Sequence, residues 1–395
     1  MSFIMNIRSV AKYESKILVR SWFFRIFTLL AVVFLGFFNF AMMLMEDNFG
    51  LWFAKSVSSN IPYLNLLLLN TGQAVVAVFL SSEFLKRDKK LDTSEVFYVR
   101  PLSNAEYVVG KIWGNLRVFL FLNLLVLAIV LAFNFMASGV TVDLPAYLVY
   151  FFLISIPTLI FIIGLSIFLM LLLKNQALTF ILLLGYIGLT LFYIQDKFYY
   201  LFDYMVYNLP LFKSTIVGFS NLELILNHRA IYFFAGLGFI FFTIFLFKRL
   251  PNARRSHYPW LFLSFCMFLL MVTAGFRHVR SILWEGEMRA LYTSINNKYV
   301  YEPKMAIDYY DISVEQKSET IRSVVGMEGT ALAASEVFIF CLNPGLRVEE
   351  VKDGEKSLNF KREEQILAVD FGRKIEKGDT ISFSVSYEGR IKDDF

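Results

Sequence analysis

Apolar residues fill the first part of the chain in long runs, and from residue 299 onward they alternate with polar ones. A helix needs about 20 mostly apolar residues to cross a bilayer core. Seven runs meet that requirement: 22–45, 61–80, 108–135, 146–173, 177–194, 230–247 and 258–276. The third and fourth are long enough to tilt. Only Lys174, Asn175 and Gln176 separate the fourth from the fifth, which predicts a tight helical hairpin. Ahead of the first run, Arg8, Lys12, Lys16 and Arg20 recur every fourth residue, with Ile4, Ile7, Ala11 and Leu18 on another face. Residues 1–21 therefore read as an amphipathic helix lying in the headgroup layer, its bases near anionic lipid. The competing reading is a helix packed on protein.

The tail changes period. Ile381, Phe383, Val385 and Tyr387 alternate with Ser382, Ser384 and Ser386, the period-two pattern of a half-buried strand. Further strands are expected at 306–314, 320–327, 336–342, 346–352, 357–361 and 366–371. Asp353-Gly354 and Lys377-Gly378-Asp379 supply turn chemistry between them. Close-spaced strands of this kind predict an antiparallel β-sandwich over 299–395. Residues 277–298, with Trp284 and several charges, read as a helical stalk leading to it.

Composition sharpens the class. The chain of 395 residues is 57% hydrophobic and 18% charged, against about 25% charged in a soluble domain. That excess of apolar residues fits an integral membrane protein. Up to Gly275 there are 21 Lys and Arg against 12 Asp and Glu; beyond it there are 17 against 21. Two unlike parts therefore join near Phe276. Basic residues in short loops set orientation. Fifteen fall on one side (Arg8, Lys12, Lys16, Arg20, Lys86, Arg87, Lys89, Lys90, Arg100, Lys111, Lys174, Lys248, Arg249, Arg254 and Arg255) and three on the other (Lys55, Lys197 and Lys213), with Arg229 at a border. The expected protein is a multi-pass inner-membrane protein with a cytoplasmic amino terminus and an extracytoplasmic carboxyl-terminal domain. Cys266 and Cys341 make no disulfide framework, and no cleavable signal peptide is evident.

Residues 195–229 are too long and aromatic for a plain connector. FYYLFDYMVY reads as a half-inserted or surface-lying helix, with Tyr199, Tyr200, Tyr204 and Tyr207 at the water boundary; an ordinary aromatic belt is the alternative. Within the spans, Asn65, Asn70, Gln73 and Asn123 are costly in hydrocarbon unless paired. They form a polar pathway or, more simply, interhelical hydrogen bonds. Arg25 and Arg117 sit where they can snorkel to water. No G-x-x-x-x-G-K-[ST] and no H-E-x-x-H occur. His228, His257 and His278 read as separate interfacial side chains that do not converge on a metal. No catalytic, cofactor-binding or metal-binding residue is assigned.

One charged stretch between two apolar runs stands out: 83–111, EFLKRDKKLDTSEVFYVRPLSNAEYVVGK. Asp92 or Thr93 can cap a short helix over 94–99. Pro101 ends it and biases Arg100 to extended backbone. Ser103 and Glu106 have capping-box spacing, which starts the next helix. Glu83, Arg87, Thr93, Glu95, Pro101-Leu102-Ser103, Glu106 and Gly110-Lys111 resemble the segment of ABC-2-type ABC transporter permeases that reads roughly E-(x)-R-x-x-G-T-x-E, then P-L-S, then G-K, with Asp92 where that family usually has Gly. The resemblance implies a six-span core over 22–248, followed by a seventh helix. It implies a coupling helix at 94–99 that docks on a separate ATP-hydrolysing subunit, and two membrane cores per transporter. Glu83, Arg87, Thr93, Glu95, Arg100, Pro101, Ser103, Glu106 and Lys111 would form the docking segment. ATP and magnesium would be bound by the partner and no cofactor by this chain. Its partners would be that ATPase, a second permease core and membrane lipid, with no nucleic acid.

The tail resembles a second family. Asn343-Pro344-Gly345, Gly378 and Tyr387-x-Gly389 are similar to the amino-terminal β-domain of M1-family zinc aminopeptidases. That family's zinc motif is missing, and a chain stopping at Lys392-Asp393-Asp394-Phe395 is expected to be truncated. The permease reading thus competes with two others: a membrane-anchored fragment of a zinc aminopeptidase, and a non-catalytic membrane scaffold whose outer domain binds protein.

Overall fold

Long apolar runs demand helices, because only internal backbone hydrogen bonding satisfies each amide away from water. The computed structural model describes residues 3–44, 57–82, 102–136, 141–194, 196–209, 211, 213, 219, 221–247, 258–317 and 320–392. Its helices are α1 (Phe3–Arg20), α2 (Trp22–Leu44), α3 (Asn60–Ser82), α4 (Asn104–Met136), α5 (Leu144–Leu173), α6 (Gln176–Ile194), α7 (Leu222–Leu246) and α8 (Tyr258–Lys298). Seven of them, α2 to α8, are long and apolar enough to cross a membrane. Asn175 caps α6 by accepting from Leu178 N, and Lys174 turns the chain at φ 54° to close the expected hairpin with α5. The chain divides into two compact units, Met1–Val279 and Arg280–Phe395.

In the helical unit, α1 lies along the first half of α4. Its inward face is small and polar: Asn6, Ala11, Glu14, Ser15 and Leu18 are buried, whereas Ile4 is 72% exposed with Met5, Tyr13 and Val19. The expected apolar face is thus divided, with Ala11 and Leu18 turned inward and Ile4 outward. Close approach explains the choice of residues. A Cβ on Gly110 would lie 2.7 Å from Val10 Cβ, and one on Gly114 2.7 Å from Glu14 Cβ. Two glycines a turn apart let the helices meet where larger side chains would hold them apart.

α5 contains a π-turn at Phe151–Ser155, one turn before Pro157. Proline has no N–H to give the carbonyl four residues back, so Leu153 needs a donor from elsewhere. The segment after α6 supplies the other irregularity. Phe198, Tyr199 and Tyr200 have φ of 52°, 58° and 61°, three successive left-handed residues at roughly 1–2 kcal/mol each. This corrects the expected helix. Residues 198–208 form a compact coil, and Tyr204 is 1% exposed with Met205, Val206, Leu209 and Leu211 buried beside it.

The second unit holds eight antiparallel strands: β1 (Met305–Lys317), β2 (Thr320–Ala331), β3 (Ser335–Cys341), β4 (Leu346–Asp353), β5 (Lys356–Ser357), β6 (Asn359–Glu363), β7 (Ile366–Ile375) and β8 (Thr380–Gly389). One sheet runs β1-β2-β8-β4-β5 and the other β3-β7-β6. Phe338, Val369 and Phe371 of the smaller sheet share one core with Val351, Phe383 and Val385 of the larger. The tight turns come where expected, at Gly354 with φ 59° and Gly378 with φ 95°. The stalk residues are the end of α8, a helix of 41 residues. Within this unit Ile295 packs on Ile339 and Ile366, and Gln365 Nε2 donates to Tyr292 O at 2.6 Å.

Candidate functional site

The coupling stretch is described from Leu102 onward; Glu83, Arg87, Thr93, Glu95, Arg100 and Pro101, with the helix expected at 94–99, lie outside the described residues. The expected capping box is present. Glu106 N donates to Ser103 Oγ at 3.2 Å, and Ser103 N donates to Glu106 Oε2 at 2.6 Å, so both first-turn amides are satisfied. The other Glu106 oxygen accepts from Asn6 Nδ2 of α1 at 2.8 Å. Lys111 Nζ lies 3.7 Å from Glu14 Oε2, both side chains nearly fully buried. One turn further on, Arg117 donates from Nε to Ser15 Oγ at 2.5 Å and from Nη2 to Ala11 O at 2.8 Å. Arg117 thus binds α1, where the sequence suggested snorkelling. Arg25 likewise donates to Val19 O at 3.1 Å. Glu106 and Lys111 therefore face α1, and the start of α4 is bolted to it along three turns.

Deeper in the bundle, the four span amides are buried and hydrogen-bonded, Asn65 to Asn39, and Asn70, Gln73 and Asn123 to one another. Asn39 and Asn65 exchange two hydrogen bonds, at 2.7 and 3.1 Å, between α2 and α3. Asn70 donates to Asn123 Oδ1 at 3.2 Å and to Ser155 Oγ at 3.1 Å. Ser155 donates to the same Asn123 oxygen at 2.8 Å, and Asn123 returns a bond to Gln73 Oε1 at 2.9 Å. This network ties α3, α4 and α5 together. Each interhelical bond of this kind contributes about 0.6–2 kcal/mol. The geometry matches the bundle-holding reading of Asn65, Asn70, Gln73 and Asn123.

The far end of the bundle carries charged groups to which the sequence assigned no site. Arg229, on α7, is buried, and among the described residues no carboxylate is in hydrogen-bond contact with it. It donates from Nε to Leu153 O at 2.7 Å, from Nη1 to Tyr204 O at 2.9 Å and from Nη2 to Thr158 Oγ1 at 2.9 Å. Nε thus serves the carbonyl left without a donor by Pro157. The guanidinium joins the break in α5 to the 198–208 coil. Asp203 caps that coil, accepting from Tyr207 N at 3.0 Å and Asn208 N at 2.8 Å. Burial pushes its carboxyl above the usual carboxylate range. Tyr63 OH donates to Val206 O, and Tyr150 OH to Leu211 O, which seats the coil on α3 and α5.

His228 and His278 correct the expectation of separate interfacial histidines. Both are 0% exposed, and their rings lie 5.1 Å apart. His228 Nε2 meets Tyr200 O at 3.0 Å and His278 Nε2 meets Tyr199 O at 2.8 Å. They converge because α7 and α8 run side by side at this end, a pairing that spacing along the chain does not reveal. His257 lies outside the described residues. The signal that could have found Arg229 was Pro157: a proline inside an apolar run calls for an outside donor.

Among the described residues, no three or more His, Cys, Asp or Glu side chains are grouped to hold a metal ion. Asn343, expected to carry the likeness of the tail, organises the end of the β-unit. Its Oδ1 accepts from Gly345 N and Lys392 N, each at 3.0 Å. A Cβ on Gly345 would lie 2.0 Å from Arg390 O, so only glycine fits where the two segments cross. No family model matches the chain, and no curated protein matches it. Among solved structures, an M1 zinc metallopeptidase from Deinococcus radiodurans, bound to a Tyr-Ser-Ala substrate, is similar over 22% of this chain and 21% of its own. The identity is 17% and the TM-score 0.21. The likeness thus spans about a fifth of that chain.

Proposed function

We propose that this chain is the permease subunit of an ABC-2-type transporter, moved by ATP hydrolysis in a separate subunit that docks on residues 83–111. The observation that carries the reading is the seam between α1 and α4. The docking stretch includes the Ser103–Glu106 capping box, and the first turns of α4 are fixed to α1 by Glu106, Lys111 and Arg117. A displacement at that point moves two helices as one body. The amide network then passes it from α4 to α3 and α5. The chain has no phosphate-binding loop of its own, so ATP and magnesium belong to the partner. On this reading α1 lies at the cytoplasmic face of the inner membrane and the β-unit on the opposite side. A second permease core completes the transporter.

The test is isolation of the tagged full chain from mild detergent. An ATPase subunit is expected to come with it, and Glu95→Arg or Pro101→Ala is expected to reduce its yield several-fold. Full retention of the ATPase by both variants, or its absence from the wild-type preparation, would contradict the reading.

A further inference from the structure

We propose that His228 and His278 form a proton-released latch that holds the 198–208 coil on the end of the helical unit. A carbonyl oxygen only accepts, so the contacts to Tyr200 O and Tyr199 O place the proton of each neutral ring on Nε2. Each Nδ1 is then a bare lone pair, buried and without a hydrogen-bond partner. The residues so held are the left-handed ones. Phe198, Tyr199 and Tyr200 occupy a conformation that L side chains leave when nothing fixes them. The two rings fix it by gripping consecutive carbonyls from two different helices. Tyr232 OH adds a third grip on the next carbonyl, that of Leu201.

Protonation disturbs this arrangement in a definite direction. An imidazolium carries a second N–H, on Nδ1, and needs an acceptor there. Beside His228 none is present among the described residues. Beside His278 the Leu224 carbonyl lies near the ring but outside hydrogen-bond geometry. The surrounding charges oppose a new cation. α7 contributes Arg229, the next residue to His228, together with Tyr232 and Glu223. α8 contributes Arg277, and the coil contributes Tyr199, Tyr200, Asp203 and Tyr204. Tyr186 of α6 stacks on Tyr204. Of the two carboxylates, Glu223 is engaged by Arg277 at the surface, and Asp203 is held by its own backbone amides. At 5.1 Å the rings also repel each other once both are charged. The latch therefore holds down through the ordinary imidazole range, about 6.5, and loosens only as pH falls below it. Loosening uncovers Tyr204, Met205, Val206 and Leu209, the apolar plug that the coil inserts into the bundle.

The experiment is hydrogen–deuterium exchange on the full chain in detergent at pH 8 and pH 5.5, expressed as protection factors so that intrinsic exchange chemistry drops out. Amides at Tyr200, Leu201, Asp203, Tyr204 and Val206, all hydrogen-bonded within the coil, are expected to lose protection about tenfold or more at pH 5.5, the effect of a one-unit titration. Strands β3 and β7 are expected to be unchanged. In His228→Gln/His278→Gln, each side-chain amide still donates to its carbonyl but takes no proton, so protection is expected to be equal at both pH values. Asp203→Asn is expected to keep the pH response. Equal protection in the wild type at both pH values would overturn the latch. So would a response that survives in the double glutamine variant. A response abolished by Asp203→Asn would assign the titration to that carboxyl instead. The wild-type and Asp203→Asn measurements decide the matter even where the double variant folds poorly.

Discussion

Glu106 does two jobs with one carboxylate: it closes the capping box with Ser103 and takes the amide of Asn6. Glu106→Ala removes both and leaves Asn6 buried without that acceptor. The expected loss is about 1–3 kcal/mol, read as a lower thermal midpoint of the helical unit. Arg229 presents the opposite case, a buried cation engaged by carbonyl and hydroxyl oxygens. Arg229→Lys keeps the charge but loses the planar fork that reaches α5 and the coil together. Both Arg229→Lys and Arg229→Ala are therefore expected to raise proteolysis within 198–208. Equal resistance of the lysine variant and the wild type would show that charge alone suffices.

Between helices, packing is decided by what lets backbones approach. Gly114→Ala places a methyl group 2.7 Å from Glu14 Cβ. Forcing α1 away from α4 is expected to destabilise by about 1–3 kcal/mol, and limited proteolysis would detect α1 released first. In the β-unit, Phe338 is buried between the sheets against Phe371. Phe338→Ala is expected to lower the stability of the β-unit by about 3–5 kcal/mol, seen as a lower thermal midpoint of the full chain. Much of this architecture was legible beforehand. The runs at 22–45 and 61–80 are helices within a residue or two, and the serine-alternating stretch at 381–387 lies within β8, because burial leaves a periodic trace in composition. What composition does not record is which helix faces which. His228 and His278 meet through the pairing of α7 and α8, and those rings with Tyr232 take the carbonyls of Tyr200, Tyr199 and Leu201. The 198–208 coil therefore read as a half-inserted or surface-lying helix, or an aromatic belt, from its length and aromatic content, although carbonyls of Tyr199, Tyr200 and Leu201 are taken by side chains of α7 and α8.

On the proposed reading, the whole chain receives force at the seam between α1 and α4. The start of α4 is bonded to α1, and the amides of α3, α4 and α5 close the path across the bundle. Among the described residues, Asn6, Asn70, Asn123 and Ser155 each bond to a neighbouring helix, and on the proposed reading these helices move together. The most direct measurement of that account is photocrosslinking in intact cells from a benzoylphenylalanine placed at Val96, in the full chain. The account predicts one dominant adduct, with a cytoplasmic subunit that carries a phosphate-binding loop and hydrolyses ATP. An adduct restricted to proteins of the opposite face, or none to any ATPase while the label reacts elsewhere, would contradict it.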